Sequence, residues 1–346
     1  MQAVVLVGGE GTRLRPLTLT RPKPALRLVD RPFIRFMVDW LAAHGVDEVI
    51  MACGFRAELL REALGDGGEG GPPIRYVEEP EPLGTGGPLR LAAEEVGLDG
   101  RFLALNGDVL TDLDLTALIE AHEAAGAAAT LALHPVADPS SYGLVLTGAD
   151  GAVEAFVEKP DPGEISTDEI SAGAYVLEPG VLDLIPPGRA CSIERQVFPR
   201  LVGEGLYGQR LEGYWMDIGT PERYLQASWD ILECRVATDV PAEPGGAATL
   251  IEDGCEVATD ATVGPRAVLG ADSRVGAGAR VMGSVLDSGC TIGDGATVDG
   301  AILGRGVEVG AGARIAAGAV IGDGARVKAS SQVAGDARVA PGEVAG

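Results

Sequence analysis

The chain has 346 residues, 46% of them apolar and 23% charged, with a formal net charge of −24. That length exceeds one ordinary core and suits two domains, the composition is that of a soluble globular protein, and no apolar run reaches the length of a membrane span. So acidic a balance argues against general binding to nucleic acid or to anionic membrane surfaces.

Residues 1 to about 235 alternate strand and helix patterns. Strands are expected at Ala3–Val7, Glu48–Ala52, Ile74–Val77, Phe102–Leu105 and Ala128–Leu133. Helices are expected at Ile34–His44, Ala57–Leu64, Pro88–Glu95 and Leu115–Ala124, with a closing helix at Thr220–Val236. This alternation predicts a Rossmann-like α/β fold, a mixed and mainly parallel sheet covered by helices. Ligands of such sheets sit beyond the carboxyl ends of the strands, where the glycine turn after Val7 and the NGD after Leu105 fall. The run GDGGEGGPP, Gly65–Pro73, reads as a flexible loop, and the Pro-, Gly- and Ala-rich Asp239–Ala248 as a linker.

Beyond the linker an aliphatic residue recurs every six positions: Val257, Val263, Leu269, Val275, Val281. After a five-residue step the series resumes at Leu286, Ile292, Val298, and after another it runs from Leu303 to Val339. Glycine follows many of these residues. The period is the mark of a parallel β-helix, with each aliphatic stacked on its counterpart one coil away. Three hexads per triangular coil give about five coils, and the two short steps read as turns that lost a residue. The boundaries drawn are a catalytic domain at 1–238, a linker at 239–250 and a hexapeptide-repeat domain at 251–346.

The five cysteines (Cys53, Cys191, Cys234, Cys255, Cys290) form no CxxC pair and read as free thiols. The three histidines form no ligand pair, so a zinc site is not expected. The first apolar run is too short, and too soon followed by Gly8, Gly9 and basic residues, for a signal peptide; a cytoplasmic protein is expected.

An anionic ligand of so acidic a chain needs a local positive site. GGEGTRLRPLTLTRPKP, directly after the first strand, holds Arg13, Arg15, Arg21 and Lys23. It is neither a P-loop nor the dinucleotide fingerprint, but a glycine turn leaves backbone N–H groups facing an anion, and Arg13 and Lys23 add fixed charge. On the glycine pattern alone, a tight surface turn with solvated basic residues is an equal alternative. Asp108 in LNGDVL and Asp217 in GYWMDIGTP stand in apolar surroundings. Two such carboxylates could hold Mg²⁺ against phosphates, or could merely cap a turn or helix. In FVEKP, Glu158 and Lys159 lie at a strand end, where a carboxylate accepts from hydroxyls and an ammonium meets a phosphate; neighbours on a strand point to opposite faces.

Together these stretches resemble the sugar-nucleotide pyrophosphorylases, nucleotidyltransferases that act on sugar 1-phosphates. GGEGTRLRPLTLTRPKP keeps every fixed position of their signature. The resemblance continues through EPLGTGG, NGD, FVEKP, SAGAYVLEP, SIERQVFP and GYWMDIGTPERYL. It covers the first half in order, and a left-handed β-helical tail fits the longer members. It implies that an NTP and a sugar 1-phosphate give an NDP-sugar and pyrophosphate by in-line attack at the α-phosphorus, with Mg²⁺ assisting. Residue by residue, it implies catalytic roles for Arg13, toward the β- and γ-phosphates, and Lys23, toward the α-phosphate. The nucleotide would meet Leu6, Gly8, Gly9, Gly11, Thr12, Glu79, Gly84 and Thr85. The sugar phosphate would meet Asn106, Gly143, Glu158, Lys159 and Ser171, and the metal Asp108 and Asp217. Ser171 stands where many members have asparagine, which leaves the sugar less determined than the reaction.

Glu79 falls where thymidylyl- and uridylyltransferases usually carry glutamine. A carboxylate only accepts, and guanine offers two adjacent donors, so Glu79 favours GTP. PKP and WMDIGTP resemble mannose-1-phosphate guanylyltransferases, which favours mannose 1-phosphate. The alternatives are a glucose-1-phosphate thymidylyl- or uridylyltransferase, a heptose-phosphate guanylyltransferase, and a non-catalytic regulatory relative. An acyl-CoA-dependent hexapeptide acyltransferase is disfavoured, because no histidine follows His134. The repeat domain is expected to be structural, or to assemble a homo-oligomer.

Overall fold

A computed structural model describes residues 1–54, 56–68, 70–161, 163, 165–241 and 248–346. The expected linker therefore lies largely, at 242–247, outside the described residues, as does Glu69 of the glycine loop. The chain packs as two units that are discontinuous in sequence: residues 1–9 with 36–215, and residues 10–35 with 216–346.

The first unit is built on β1 (Gln2–Leu6), β2 (Glu48–Cys53), β3 (Ile74–Glu78) and β4 (Phe102–Asn106), with β1 paired in parallel to β2 and β4, and β2 to β3. Their runs of Val, Ile, Leu and Ala are buried almost throughout, as a sheet covered on both faces requires. Helices α1 (Phe33–Ala43), α2 (Ala57–Leu64), α3 (Gly87–Glu95) and α4 (Leu115–Ala125) follow the expected pattern to within a residue at either end. Asp114 caps α4 by accepting from the Ala117 N–H at 3.1 Å, and Gly126, at φ 58°, ends it.

Five more strands make the sheet mixed: β5 (Ala129–Pro135), β6 (Gly143–Thr147), β7 (Val153–Glu158), β8 (Glu169–Leu177) and β9 (Leu206–Arg210). The order is β7–β6–β8–β4–β1–β2–β3, with β5 between β8 and β9. β8 runs antiparallel to β4, β5 and β6. Its register against β5 shifts between Ser171 and Tyr175, where Gly173 takes φ 75°. A bulge of this kind bends a strand and redirects side chains. The core beneath joins Val4, Ile50, Phe102, Leu131, Tyr175 and Phe198.

In the second unit α5 (Pro221–Leu232) is capped by Thr220. It ends four residues earlier than the apolar pattern suggests, because Cys234 adopts φ 56° and turns the chain away. The repeat region forms three parallel sheets of two- and three-residue strands, consistent with a left-handed β-helix. Leu269, Leu286, Leu303, Ile321 and Val339 stack on one face; Val275, Ile292, Val309 and Val327 on the next; Val281, Val298, Ile315 and Val333 on the third. Both five-residue steps fall at one corner, where Gly283 and Gly300 each take φ 55°. The shorter corners are therefore stacked one above the other, and the core columns stay in register.

Candidate active site

In the first unit the turn after β1 closes against the turn after β2. A Cβ on Gly54 would stand 2.9 Å from the Gly8 carbonyl oxygen, and one on Gly8 2.6 Å from Glu79 Oε1. Only glycine admits that approach. Gly9 is exposed, and Leu6 is paired with Asn106 of β4. Glu79 continues from β3, its N–H bonded to the Cys53 carbonyl at 2.7 Å. Its Oε2 accepts from the Leu83 N–H at 2.9 Å. Burial pushes the Glu79 carboxyl up from the ordinary range, and the Leu83 N–H pulls it part of the way back. The glycine turn and the candidate base reader, far apart in sequence, thus share one rim.

Gly107 is locked to β1 by its N–H on the Leu6 carbonyl at 2.9 Å, which sets Asp108 just past the carboxyl end of β4. On the far side of the sheet, Gly143 of β6 faces Glu158 of β7 across an antiparallel rung. A Cβ on Gly143 would stand 2.9 Å from Glu158 Oε2. Burial, and then Glu194, push the Glu158 carboxyl upward; Lys159 and Arg195 act against them. Strand β7 ends at Glu158, and Lys159 is exposed in a left-handed conformation at φ 54°. The strand alternation expected for this pair therefore does not apply. The Lys159 N–H binds the Tyr142 carbonyl at 3.1 Å. At the bulge, Ser171 Oγ lies 3.4 Å from the buried Tyr175 hydroxyl, and a Cβ on Gly173 would stand 2.8 Å from Asn106 Nδ2.

In the second unit Gly11, at φ 62°, opens a short helical turn, Thr12–Leu14, and packs against Thr18 and Lys23. Thr12 and Arg13 are exposed there, while Lys23 is only 8% exposed. Lys23 Nζ stands 3.9 Å from Asp217 Oδ1, and Asp217 Oδ2 accepts from Arg223 at 3.0 Å. A Cβ on Gly219 would stand 2.6 Å from Arg13 Nη2 and 3.0 Å from Asp217 Oδ1. Arg13, Lys23 and Asp217, separated by nearly 200 residues of sequence, are brought together: Lys23 and Arg223 flank the Asp217 carboxylate, and Arg13 lies beside Gly219.

Residues 2–234 match the nucleotidyl transferase family, and residues 246–343 match the GMPPB C-terminal domain. The chain belongs to the nucleotidyl transferase family. It is 40% identical over 287 residues to a mannose-1-phosphate guanylyltransferase of Mycobacterium tuberculosis, covering 82% of this chain and 79% of that one. With a mannose-1-phosphate guanylyltransferase 1 of Arabidopsis thaliana the identity is 38% over 291 residues, covering 81% and 78%. Among solved structures, HddC from Yersinia pseudotuberculosis is similar at a TM-score of 0.57 and 28% identity, over 66% of this chain and 99% of that one.

The contacts that hold these motifs to one another were not assigned from the sequence. Thr85, expected at the nucleotide, bridges the first unit internally: its hydroxyl accepts from the Ile193 N–H at 3.0 Å and donates to the Glu194 carboxylate. Gly84, at φ 77°, is pressed against the Cys191 carbonyl, where a Cβ would stand 2.6 Å away. Glu194 thus joins EPLGTGG to SIERQVFP and also bears on Glu158. It lies in a π-helical segment, Ile193–Val197, a form that recurs at functional sites. The SIERQVFP motif was visible in sequence, but nothing local pointed to its partner more than a hundred residues away. Trp215 donates from Nε1 to the Ala172 carbonyl at 2.8 Å and stacks edge-on with Tyr142.

Among the described residues no group of three His, Cys, Asp or Glu side chains converges as a metal cluster. Asp108 lies in the first unit and Asp217 in the second, and each carries hard carboxylate oxygens, the donor type that suits a divalent cation. No helix among the described residues is long and apolar enough to cross a membrane.

Proposed function

We propose that this nucleotidyl transferase makes GDP-mannose and pyrophosphate from GTP and mannose 1-phosphate. The observation that carries the reading is the Arg13–Lys23–Asp217 cluster beside Gly11 and Gly219, a local gathering of cations in a chain whose charge is otherwise strongly negative. It is supported by the relatives named above as mannose-1-phosphate guanylyltransferases, and by the likeness to HddC from Yersinia pseudotuberculosis, which has also been solved complexed with GMP-PN.

In the proposed reaction a mannose 1-phosphate oxygen attacks the α-phosphorus of GTP in line. The bond to the bridging oxygen breaks, and pyrophosphate leaves. No covalent intermediate is needed, so the protein positions and neutralises charge. Lys23 stabilises charge at the α-phosphate, and Arg13 the departing β- and γ-phosphates. Leu6, Gly8, Gly9, Gly11, Thr12, Gly84 and Thr85 shape the nucleotide site, and Glu79 accepts from guanine. Glu158, Asn106, Ser171 and Gly143 meet the sugar, and Lys159 its phosphate. Asp108 and Asp217 are the proposed ligands of Mg²⁺, which when bound would offset phosphate charge. A cytoplasmic location, assembly through the β-helix, and a division into domains at 1–238 and 251–346 belong to the same proposal.

The test is pyrophosphate release with Mg²⁺ over a matrix of GTP, dTTP and UTP against mannose and glucose 1-phosphates. Preference for GTP with mannose 1-phosphate is the expected result. Preference for dTTP or UTP with glucose 1-phosphate would replace it with the thymidylyl- or uridylyltransferase alternative. No turnover with any pair would leave a regulatory relative.

A further inference from the structure

Arg21 belongs to the same basic stretch as Arg13 and Lys23, yet it faces the other way, into the β-helix. Its guanidinium is 13% exposed, with Nη1 2.8 Å from Asp287 Oδ2 and Nη2 3.0 Å from Asp323 Oδ1. The two carboxylates are themselves nearly buried, 10% and 15% exposed. Each is held by the backbone of the β-helix: Asp287 Oδ1 accepts from the Ser288 N–H at 2.8 Å, and Asp323 Oδ1 from the Arg305 N–H, one coil earlier, at 2.9 Å. Thr20 adds a hydroxyl bond to Asp323 Oδ2 at 2.9 Å. Asp287 follows Leu286, and Asp323 lies just beyond Ile321, two coils farther along the same face. On the coil between them Gly304 occupies the position after Leu303, and a Cβ there would collide with the Asp323 carboxylate. The three coils thus make a socket that holds the Arg21 guanidinium, with the half-exposed Arg305 3.6 Å from Asp323 Oδ2.

The socket is two residues from Lys23. Consecutive Cα atoms are about 3.8 Å apart, so Arg21 and Lys23 are at most about 7 Å apart along the chain. The connection has little freedom. Pro22 and Pro24 fix their own φ angles, and Pro22, Lys23 and Pro24 are buried. Lys23–Ala25 is a closed helical turn, with the Ala25 N–H on the Pro22 carbonyl at 2.9 Å and the Leu26 N–H on the Lys23 carbonyl at 3.0 Å. A buried ion pair contributes little net stability over an apolar filling of the same space, but its geometry is directional. The network is therefore better explained as an alignment device than as a source of stability.

We infer that Arg21 is a positioning residue: Asp287 and Asp323 of the β-helix hold it, and through the Pro22–Lys23–Pro24 turn it sets where the Lys23 ammonium stands. The inference rests on the proposed catalytic role of Lys23. It gives the β-helix a part in turnover through named side chains.

The chain has three lysines, Lys23, Lys159 and Lys328, so the position of Lys23 can be followed without reference to activity. Full-length Arg21→Gln and Asp323→Asn proteins are compared with wild type in two measurements. The first is steady-state kinetics. The second is the rate at which N-hydroxysuccinimide acetate modifies each lysine, read by peptide mass spectrometry. The expected result is a kcat reduced about tenfold or more with KM for both substrates within about threefold. Alongside it, acetylation of Lys23 speeds up about tenfold while Lys159 and Lys328 are unchanged. Unchanged kcat and unchanged Lys23 labelling in the folded variants would overturn the inference. So would a loss of kcat with unchanged Lys23 labelling, because the effect would then bypass Lys23. If Arg21→Gln fails to fold by circular dichroism, Asp323→Asn, which keeps the Asp287 pair, decides. If wild type turns over no substrate pair, the catalytic reading of Lys23 fails on its own; the labelling arm still decides, faster Lys23 modification supporting the alignment and an unchanged rate refuting it.

Discussion

Gly143 and Glu158 face one another across the β6–β7 ladder, and a side chain at position 143 would displace its neighbours. A methyl there would stand 2.9 Å from Glu158 Oε2 and 2.8 Å from Phe156 Cζ. The phenyl ring is packed against Phe198 and has little room to retreat, so the carboxylate must turn away. Gly143→Ala is expected to raise KM for the sugar 1-phosphate about tenfold while changing KM for the nucleotide little. Equal increases in both constants would show that the rung does not serve the sugar.

The environment of Glu158 also makes a pH prediction. Burial and the neighbouring Glu194 raise its folded-state pKa, while Lys159 and Arg195 oppose them. Because the folded value lies above the unfolded one, protonation favours the fold; that benefit is complete below the unfolded pKa and lost as pH rises through the raised one. Function runs the other way, since the protonated acid loses acceptor capacity for sugar hydroxyls. kcat/KM for the sugar phosphate should therefore fall on acidification at a pH above the ordinary glutamate range. Glu158→Gln should lack that step, while the substrate's own ionisation moves both profiles alike. The same variant should melt at a higher temperature than wild type at neutral pH, since it removes a buried and repelled charge. A lower melting temperature would argue that the carboxylate's favourable partners outweigh the cost of its burial.

Most strands and helices before Pro135, and every column of the β-helix, were legible because each depends on a period within one element. The parallel β1, β2 and β4 are largely apolar runs, β3 alternates buried Ile74 and Val77 with exposed Arg75 and Glu78, and the hexads repeat with only two slips, both absorbed at one corner. What was not legible is pairing between distant segments. β8 pairs with β4, β5 and β6, and its bulge at Gly173 changes the register in mid-strand; no local pattern encodes that choice of neighbours. For the same reason Arg21, which in sequence reads equally as solvated or structural, is shown to be structural only by Asp287 and Asp323, about 270 and 300 residues onward. Thr85 and Glu194 repeat the lesson, since each lies in a visible motif and its contact lies in another.

Lys23 is buried, so its role differs from that of exposed Arg13. Lys23→Ala removes the cation 3.9 Å from Asp217 and leaves that carboxylate with Arg223. Loss of a preorganised charge of this kind should lower kcat by about 10²–10³-fold. Arg13→Ala should also lower kcat, with far-ultraviolet circular dichroism unchanged in both. Near-normal kcat in both folded variants would mean that the opening stretch is not the phosphate cradle.

The β-helix should be least tolerant in its middle coils. Leu286 is fully buried between Leu269 and Leu303, whereas Val257, at the first coil, is 37% exposed. Leu286→Ala should cost about 2–5 kcal/mol, the usual range for a core leucine that leaves a cavity. Val257→Ala should cost under about 1 kcal/mol, as expected near a surface. Urea unfolding followed by circular dichroism measures both. Equal costs would indicate that the first coil is covered in solution, for example by a second copy of the chain.

In the proposed reaction Glu79 is the residue on which base choice turns. Its Oε2 is held by the Leu83 N–H, and Oε1 faces Gly8, so the carboxylate is oriented at the rim of the glycine turn. A carboxylate accepts from the adjacent N1–H and N2–H of guanine, whereas a glutamine amide presents one acceptor and one donor. Glu79→Gln should therefore lower kcat/KM for GTP by about 10–100-fold, the cost of losing a charge-assisted hydrogen bond of about 1.5–3 kcal/mol. Activity with dTTP or UTP should fall less or rise, narrowing the preference. Competition between GTP and dTTP in one reaction, with the products separated by chromatography, measures the ratio directly. An unchanged ratio would remove Glu79 from base recognition and leave it as the support that holds Leu83 and Gly8 in place.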